Sequence, residues 1–412
     1  MARVRIKSQP SFLTRLAVVF ADPIRLKIVS ELFMREMSPK QFYDTFGGGS
    51  LSRVDRHFKR LAEHGWLRLI RKASGGRRRG ATEHFYRAPE LAIFDLETWA
   101  LLPESLRSEF SWRIFEQFAE RVKEALEAGT FDSRSDRHFT WTPLVLDNQG
   151  RERVIAAVNA LFTSLFEEQD DARLRIAKSG EDPMQATVGL AAFDSPNRRR
   201  NHSGLLLPTG DAVESADSLP FAVRVAKVFA DPLNLKIVTE LNLREMSPTR
   251  FVEECGGAPL AAIDRRFKLL TEIGWLTKVG EKSGGRRRGA TENFYRATGP
   301  AIFDNRSWSK VEDQVRVTFS WRIFEQLAEQ VREAMDAGTF DSRPDRHHSW
   351  TPLALDRLGW DQVISAVDAL FHYLFEEQAA AKIRLTESDE EPAIATVYLA
   401  AFESPMVTRN PM

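Results

Sequence analysis

Three groups of residues have types and spacings that could do chemistry. The first is basic. Ser52, Arg53, Arg56, His57, Lys59 and Arg60 fall close together. On a helix they form one outward side, while Val54, Phe58 and Leu61 turn inward. Downstream, Arg77, Arg78 and Arg79 stand between glycines in Gly75-Gly76-Arg77-Arg78-Arg79-Gly80. Guanidinium and ammonium groups in a row suit a phosphate backbone, and the members nearest a helix N-terminus suit base edges. The second group is Asp132-Ser133-Arg134-Ser135-Asp136-Arg137-His138, followed by Trp141. Carboxylates beside a histidine can hold a metal or exchange protons. Asp132, Asp136 and His138 would be first in line for a metal or small-molecule effector. The favoured alternative is a loop knitted by Asp–Arg pairs and Asx-turns. The third is Cys255, the single cysteine, which excludes an intrachain disulfide and a thiolate cluster and reads as packed rather than reactive.

Most of these groups occur twice. Residues 12–196 and 221–405 align without a gap at an offset of 209, with roughly 108 of 185 positions identical. The arginine tip returns as Arg286, Arg287 and Arg288, and the basic helix as Arg265, Arg266 and Lys268. The acidic tract returns from Asp341 to His347. A period this long marks a duplicated module, not a solenoid. The copies differ where contact is expected. Ala261 and Ala262 stand for Ser52 and Arg53, Leu269 for Arg60 and Gly280 for Arg71. The N-terminal copy is therefore expected to dominate affinity, the two reading non-identical half-sites.

The elements that must position these residues are legible in outline. Phe12 to Phe20 has helical spacing. Asp22-Pro23 caps a second helix, and Ser38-Pro39 with Gln41 starts a short third one that ends at Gly47-Gly48-Gly49. A fourth runs from Leu51 to His64 and stops at Gly65. Trp66 to Lys72 and Thr82 to Arg87 read as a hairpin flanking the arginine tip. Beyond it, Phe110 to Ala128 and Arg153 to about Lys178 read as helices, and Trp141 to Asp147 and Ala186 to Phe193 as strands. Phe110, Trp112, Phe115 and Phe118 read as core or module interface, and Arg113 with Glu116 as a surface pair.

The expected class is mainly α with small β (α+β). The units are 12–88, 89–196, a linker over 197–220, then 221–297 and 298–405. The long helices 113–127 and 153–178 are expected to pack against 322–336 and 362–387 in a pseudo-twofold core.

The net charge of zero conceals a division. Residues 1–88 carry 19 Lys/Arg against 7 Asp/Glu, and 89–196 carry 11 against 20. The second copy repeats this with 14 against 9 over 221–297 and 10 against 19 over 298–405. Each module thus has a basic front for a polyanion and an acidic back. No apolar run is long enough to span a bilayer, and no apolar stretch follows the basic Met1 to Lys7 as a signal peptide needs. A cytoplasmic location is expected. The Gly-Gly-Arg-Arg-Arg-Gly tip lacks the strand-to-helix setting of a nucleotide loop. No cofactor, resident metal or enzymatic activity is expected.

Residues 12–88 and 221–297 resemble winged helix-turn-helix transcriptional regulators of the ArsR-like type. The likeness lies in Ala21-Asp22-Pro23-Ile24-Arg25-Leu26-Lys27-Ile28-Val29 and in Phe58-Lys59-Arg60-Leu61-Ala62-Glu63-His64-Gly65-Trp66-Leu67. The thiolate metal-sensing pattern of some members is absent. The resemblance implies binding to double-stranded DNA and control of transcription, with repression favoured over activation. Such regulators act as twofold dimers, so one chain here would supply both heads, with further homodimerisation not required. A protein-interaction adaptor built on the same fold is the alternative.

Overall fold

The computed structural model describes residues 11–74, 82–94, 96–195, 227–229, 231–283, 291–299, 308 and 311–405. The arginine tips Arg77 to Arg79 and Arg286 to Arg288, and the linker 197–220, lie outside them. The chain is a mixed α+β protein.

The first half opens with α1 (Phe12–Phe20), α2 (Pro23–Met34), α3 (Pro39–Phe46) and α4 (Leu51–Glu63). Local chemistry sets these boundaries. Asp22 caps α2 by accepting from the Ile24 N–H. Ser38 and Gln41 form a reciprocal capping box on α3. Gly47, Gly48 and Gly49 all have positive φ, which lets the chain reverse between α3 and α4. The hairpin β1 (Arg68–Ser74) and β2 (Thr82–Arg87) follows. It starts two residues later than expected, because Trp66 is buried in the head, its indole N–H donating to the Arg15 carbonyl.

After the hairpin come α5 (Leu96–Ala100), α6 (Glu104–Glu127), β3 (His138–Leu146), α7 (Asn148–Ser179) and β4 (Met184–Asp194). The second half repeats this order. It contains α8 (Pro232–Leu243), α9 (Pro248–Cys255), α10 (Leu260–Glu272), β5 (Leu276–Ser283) and β6 (Thr291–Ala297). It ends with α11 (Asp313–Asp336), β7 (His347–Leu355), α12 (Arg357–Glu387) and β8 (Ala393–Glu403).

The halves are interlaced. One antiparallel sheet has the order β3-β8-β4-β7, so its strands alternate between halves. Leu190 of β4 pairs with Leu399 of β8. These are the same position of the repeat, so a pseudo-twofold axis passes between them. The extensions 89–196 and 298–405 are therefore not the separate units their sequences suggest. Neither half has two adjacent strands of this sheet, and each strand finds its hydrogen bonds only in the other half.

Side chains alternate across the sheet. Val188, Leu190, Val397 and Leu399 join α7 and α12 in one core. Ala191, Phe193, Tyr398 and Phe402 join α6 and α11 in another, which continues into the second head. The first head has its own core of Phe20, Leu26, Val54, Phe58 and Trp66, extended by Trp99 and Phe110. Phe115 and Phe118 are buried as expected.

Reciprocal ion pairs hold the two halves together. Asp147 caps α7 and receives Arg384 of the other half at 2.5 and 2.8 Å. Asp356 caps α12 and receives Arg175 at 2.5 and 2.8 Å. These bonds hold both carboxyls below their usual range, the arginine hydrogen bond being the main cause.

Candidate nucleic-acid interface

The core-facing residues of α4 are as its spacing predicts, with Val54, Phe58 and Leu61 all fully buried. The outward side carries Ser52, Arg53, Arg56, Lys59 and Arg60, all exposed. Among the described residues the Arg56 guanidinium touches only the Ser52 carbonyl, at 3.4 Å. Lys59 is tied to Asp55 at 2.6 Å one turn earlier, which raises its pKa. Arg53 reaches back to Asp22 at 3.3 Å while remaining half exposed. Of the basic groups on this helix, Arg56 and Arg60 thus keep most freedom toward an outside anion.

His57 departs from expectation. It is buried. Arg25 Nε donates to its Nδ1 at 3.3 Å, and its Nε2 lies 3.5 Å from Asp22. Burial depresses its pKa against the pull of Asp22, with Arg25, Arg53 and Arg56 adding to the depression. His57 therefore braces α4 on the N-terminus of α2 and cannot meet bases. The spacing held a signal for this, because Val54, His57, Phe58 and Leu61 make an i, i+3, i+4, i+7 arc.

In the second half, Arg266 occupies the place of His57. It is half-buried, and it grips Asp231 at 2.7 and 3.1 Å. Asn234 replaces Arg25 and keeps the same job: Arg25 donates to the Val18 carbonyl and Asn234 to that of Lys227. The charge has moved from α2 to α10 without changing the brace. Arg266 is thus mainly a structural cation. Arg265 is exposed against the Ala261 carbonyl, and Lys268 is paired with Asp264 at 2.8 Å. Helix α4 is capped by Ser50, whereas Pro259 begins α10 without a side-chain cap. The outward basic row is therefore fuller and better anchored in the first half.

The heads are fastened to the long helices α6 and α11 by ionic contacts. Lys27 bonds Glu120 at 2.6 Å, and Lys236 bonds Glu329 at 3.4 Å. Arg113 donates to the Phe20 carbonyl and pairs with Glu109, not with Glu116. Glu116 instead accepts from the Trp112 indole at 2.8 Å.

The acidic tract is a structural knot. Arg134 holds Asp136 at 3.0 Å through two bonds, and Asp136 also accepts from the Trp360 indole at 3.0 Å. Arg137 holds Asp132 at 2.8 Å, and both bond Ser320 of the other half. Arg346, Asp341 and Ser111 repeat the arrangement. His138 spends its nitrogens on Asp368 and Thr140, at 2.8 and 3.0 Å. The three acidic-tract candidates are thus engaged separately. Among the described residues no cluster of three His, Cys, Asp or Glu side chains is placed to hold a metal ion. Cys255 is partly buried, 3.9 Å from an Arg244 nitrogen.

No described helix is long and apolar enough to cross a membrane. Comparisons with known protein families, curated proteins and solved structures returned no match.

Proposed function

We propose that this chain is a DNA-binding transcriptional regulator, a single-chain pseudo-dimer of two winged helix-turn-helix heads. Each head presents a short helix, a glycine turn, a longer helix with an outward basic side, and a hairpin. In such a motif the longer helix enters the major groove. The observation that carries the reading is the coincidence of two features. The exposed basic helix occurs once per half, and the halves are related by the pseudo-twofold axis between Leu190 and Leu399. Twofold placement of two basic helices matches a duplex with two half-sites. Fusion replaces dimerisation by a fixed assembly, so binding would not weaken when the protein is dilute. Arg56 and Arg265 would reach base edges, with Arg53 assisting in the first half. Lys59, Lys268 and Arg60 would contact phosphates, and the arginine tips would lie along the backbone or minor groove. Operator occupancy in the cytoplasm, hence repression, is the mode this predicts.

Selection of bound fragments from genomic DNA, followed by titration of Arg56→Ala and Arg265→Ala, tests the proposal. Each substitution should cost about 1–3 kcal/mol of binding and relax preference at one position of one half-site. Failure of the chain to enrich any fragment would favour the adaptor alternative.

A further inference from the structure

Three arginines without a matching acid converge at the base of the first hairpin. Arg68 of β1 and Arg87 of β2 are paired directly across the ladder, so their side chains leave the same face. Arg173 of α7 joins them, and the three line a cavity of about 240 Å³. Its other walls are apolar, with Phe33 from α2, Ile70 from β1 and Pro89 just past β2. The cavity therefore sits at a joint between the first head and the central scaffold.

The charge there is not compensated. Among the described residues no carboxylate lines the cavity, and Arg68 and Arg87 form no ion pair. Glu90, three residues past Arg87, is taken by Arg15 at 2.6 Å, and Glu36 by Arg71 at 2.7 Å. Arg173 has only Asp170, at 3.2 Å, and that carboxylate is 74% exposed, so water screens the pair. Like charges placed directly opposite on neighbouring strands destabilise the ladder. An anion held between them removes that cost.

The other half lacks the set. Thr277, Arg296 and Lys382 stand at the positions of Arg68, Arg87 and Arg173, and Asn242 stands at that of Phe33. Two of the guanidinium groups and the aromatic floor are therefore confined to the first half. There Phe33 is buried, with the Arg173 guanidinium 5.2 Å from its ring centre. Guanidinium forks match the oxygens of a phosphate group. Two uncompensated cations call for two negative charges, and a phosphate monoester carries about −1.5 to −2 at neutral pH.

We propose that this cavity binds a small phosphate monoester whose organic part rests on Phe33, Ile70 and Pro89. The occupant links the β1–β2 hairpin to α7, and so the first head to the scaffold.

The test is calorimetric titration of the full chain with phenyl phosphate, inorganic phosphate and dimethyl phosphate. No DNA is present, so its failure is separate from failure of the DNA-binding reading. One phenyl phosphate per chain should bind. It should bind more tightly than inorganic phosphate, which lacks the apolar body, and than dimethyl phosphate, which carries a single charge. Arg87→Gln and Arg173→Gln should each weaken phenyl phosphate about tenfold, whereas Arg296→Gln in the other half should leave it unchanged. Without ligand, Arg87→Gln should melt no lower than the unaltered chain, since it removes the repulsion across the ladder. Absence of phenyl phosphate binding, undiminished binding in Arg87→Gln, an equal loss in Arg296→Gln, or an Arg87→Gln melt well below that of the unaltered chain would overturn the assignment. So would tighter binding of dimethyl phosphate, which would give these arginines to a duplex backbone instead.

Discussion

Replacing Arg137 by methionine should unlock the two halves, and the structure sets the size of the effect. Arg137 and Asp132 are each only 4% exposed at the side chain. Arg137 donates to Asp132 at 2.8 Å and to Ser320 of the other half at 2.6 Å, with its guanidinium 4.1 Å from the Trp308 ring centre. One Asp132 oxygen already lacks a hydrogen-bond partner among the described residues. Removing the arginine leaves a buried carboxylate held by Ser320 alone, at 2.9 Å. Breaking a buried pair on one side costs about 3–5 kcal/mol, whereas removing both charges is far milder. Arg137→Met should lose that amount in urea denaturation, and Asp132→Leu/Arg137→Met should recover most of it. The single and double variants together with Asp132→Leu close a thermodynamic cycle. A single-variant loss below about 1 kcal/mol, or a double variant as weak as the sum of the singles, would refute the reasoning.

Acid should destabilise the fold through its buried histidines. Burial lowers His347 to about 3, against 6.5 for a free histidine, and lowers His348 well below the free value too. The unfolded chain takes up these protons first, so the stability they contribute is whole above pH 6.5 and is lost as pH falls toward 3. Each costs up to about 1.4 kcal/mol per pH unit in that window, and chemical denaturation of His348→Phe at stepped pH should show a shallower acid limb. Gly189→Ala should cost about 1–3 kcal/mol, because its Cβ would lie 2.4 Å from Phe118. Adding Phe118→Leu, the residue of the other half, should restore part of that in thermal melts. Residues 1–205 produced alone should sediment as a homodimer, since β3 and β4 never touch each other. A folded monomer would contradict the interlaced sheet.

Much of each head is written locally. Asp22, Ser38 and Gln41 announce their caps, Gly47 to Gly49 their turn, and Val54, Phe58 and Leu61 their core side. Those signals act within a few residues of one another. The β-forming runs 141–147 and 186–193 identify strands but not their partners, which lie 263 positions apart where His138 meets Ala401 of β8. Partner choice depends on non-local packing, so the interlacing is hidden from any local pattern. Helix α6 starts at Glu104, six residues before the apolar spacing becomes regular at Phe110. The charge type of His57 misleads, because a titratable residue in a basic run reads as exposed. The paired exchanges Arg25 for Asn234 and His57 for Arg266 are visible in the repeat and point to a braced contact.

The central claim is that two basic helices on one pseudo-twofold scaffold grip a duplex. Its most direct test is the affinity of the intact chain for a selected fragment as salt is raised. Arg56, Lys59, Arg60, Arg265 and Lys268 are the exposed cations of these helices outside the Asp22 and Asp231 braces. With Lys59, Arg60 and Lys268 on phosphates, the logarithm of affinity should fall against the logarithm of salt with a slope of about −2.7, and more steeply with the arginine tips engaged. Retention that ignores salt, or no retention in dilute buffer, would contradict the account.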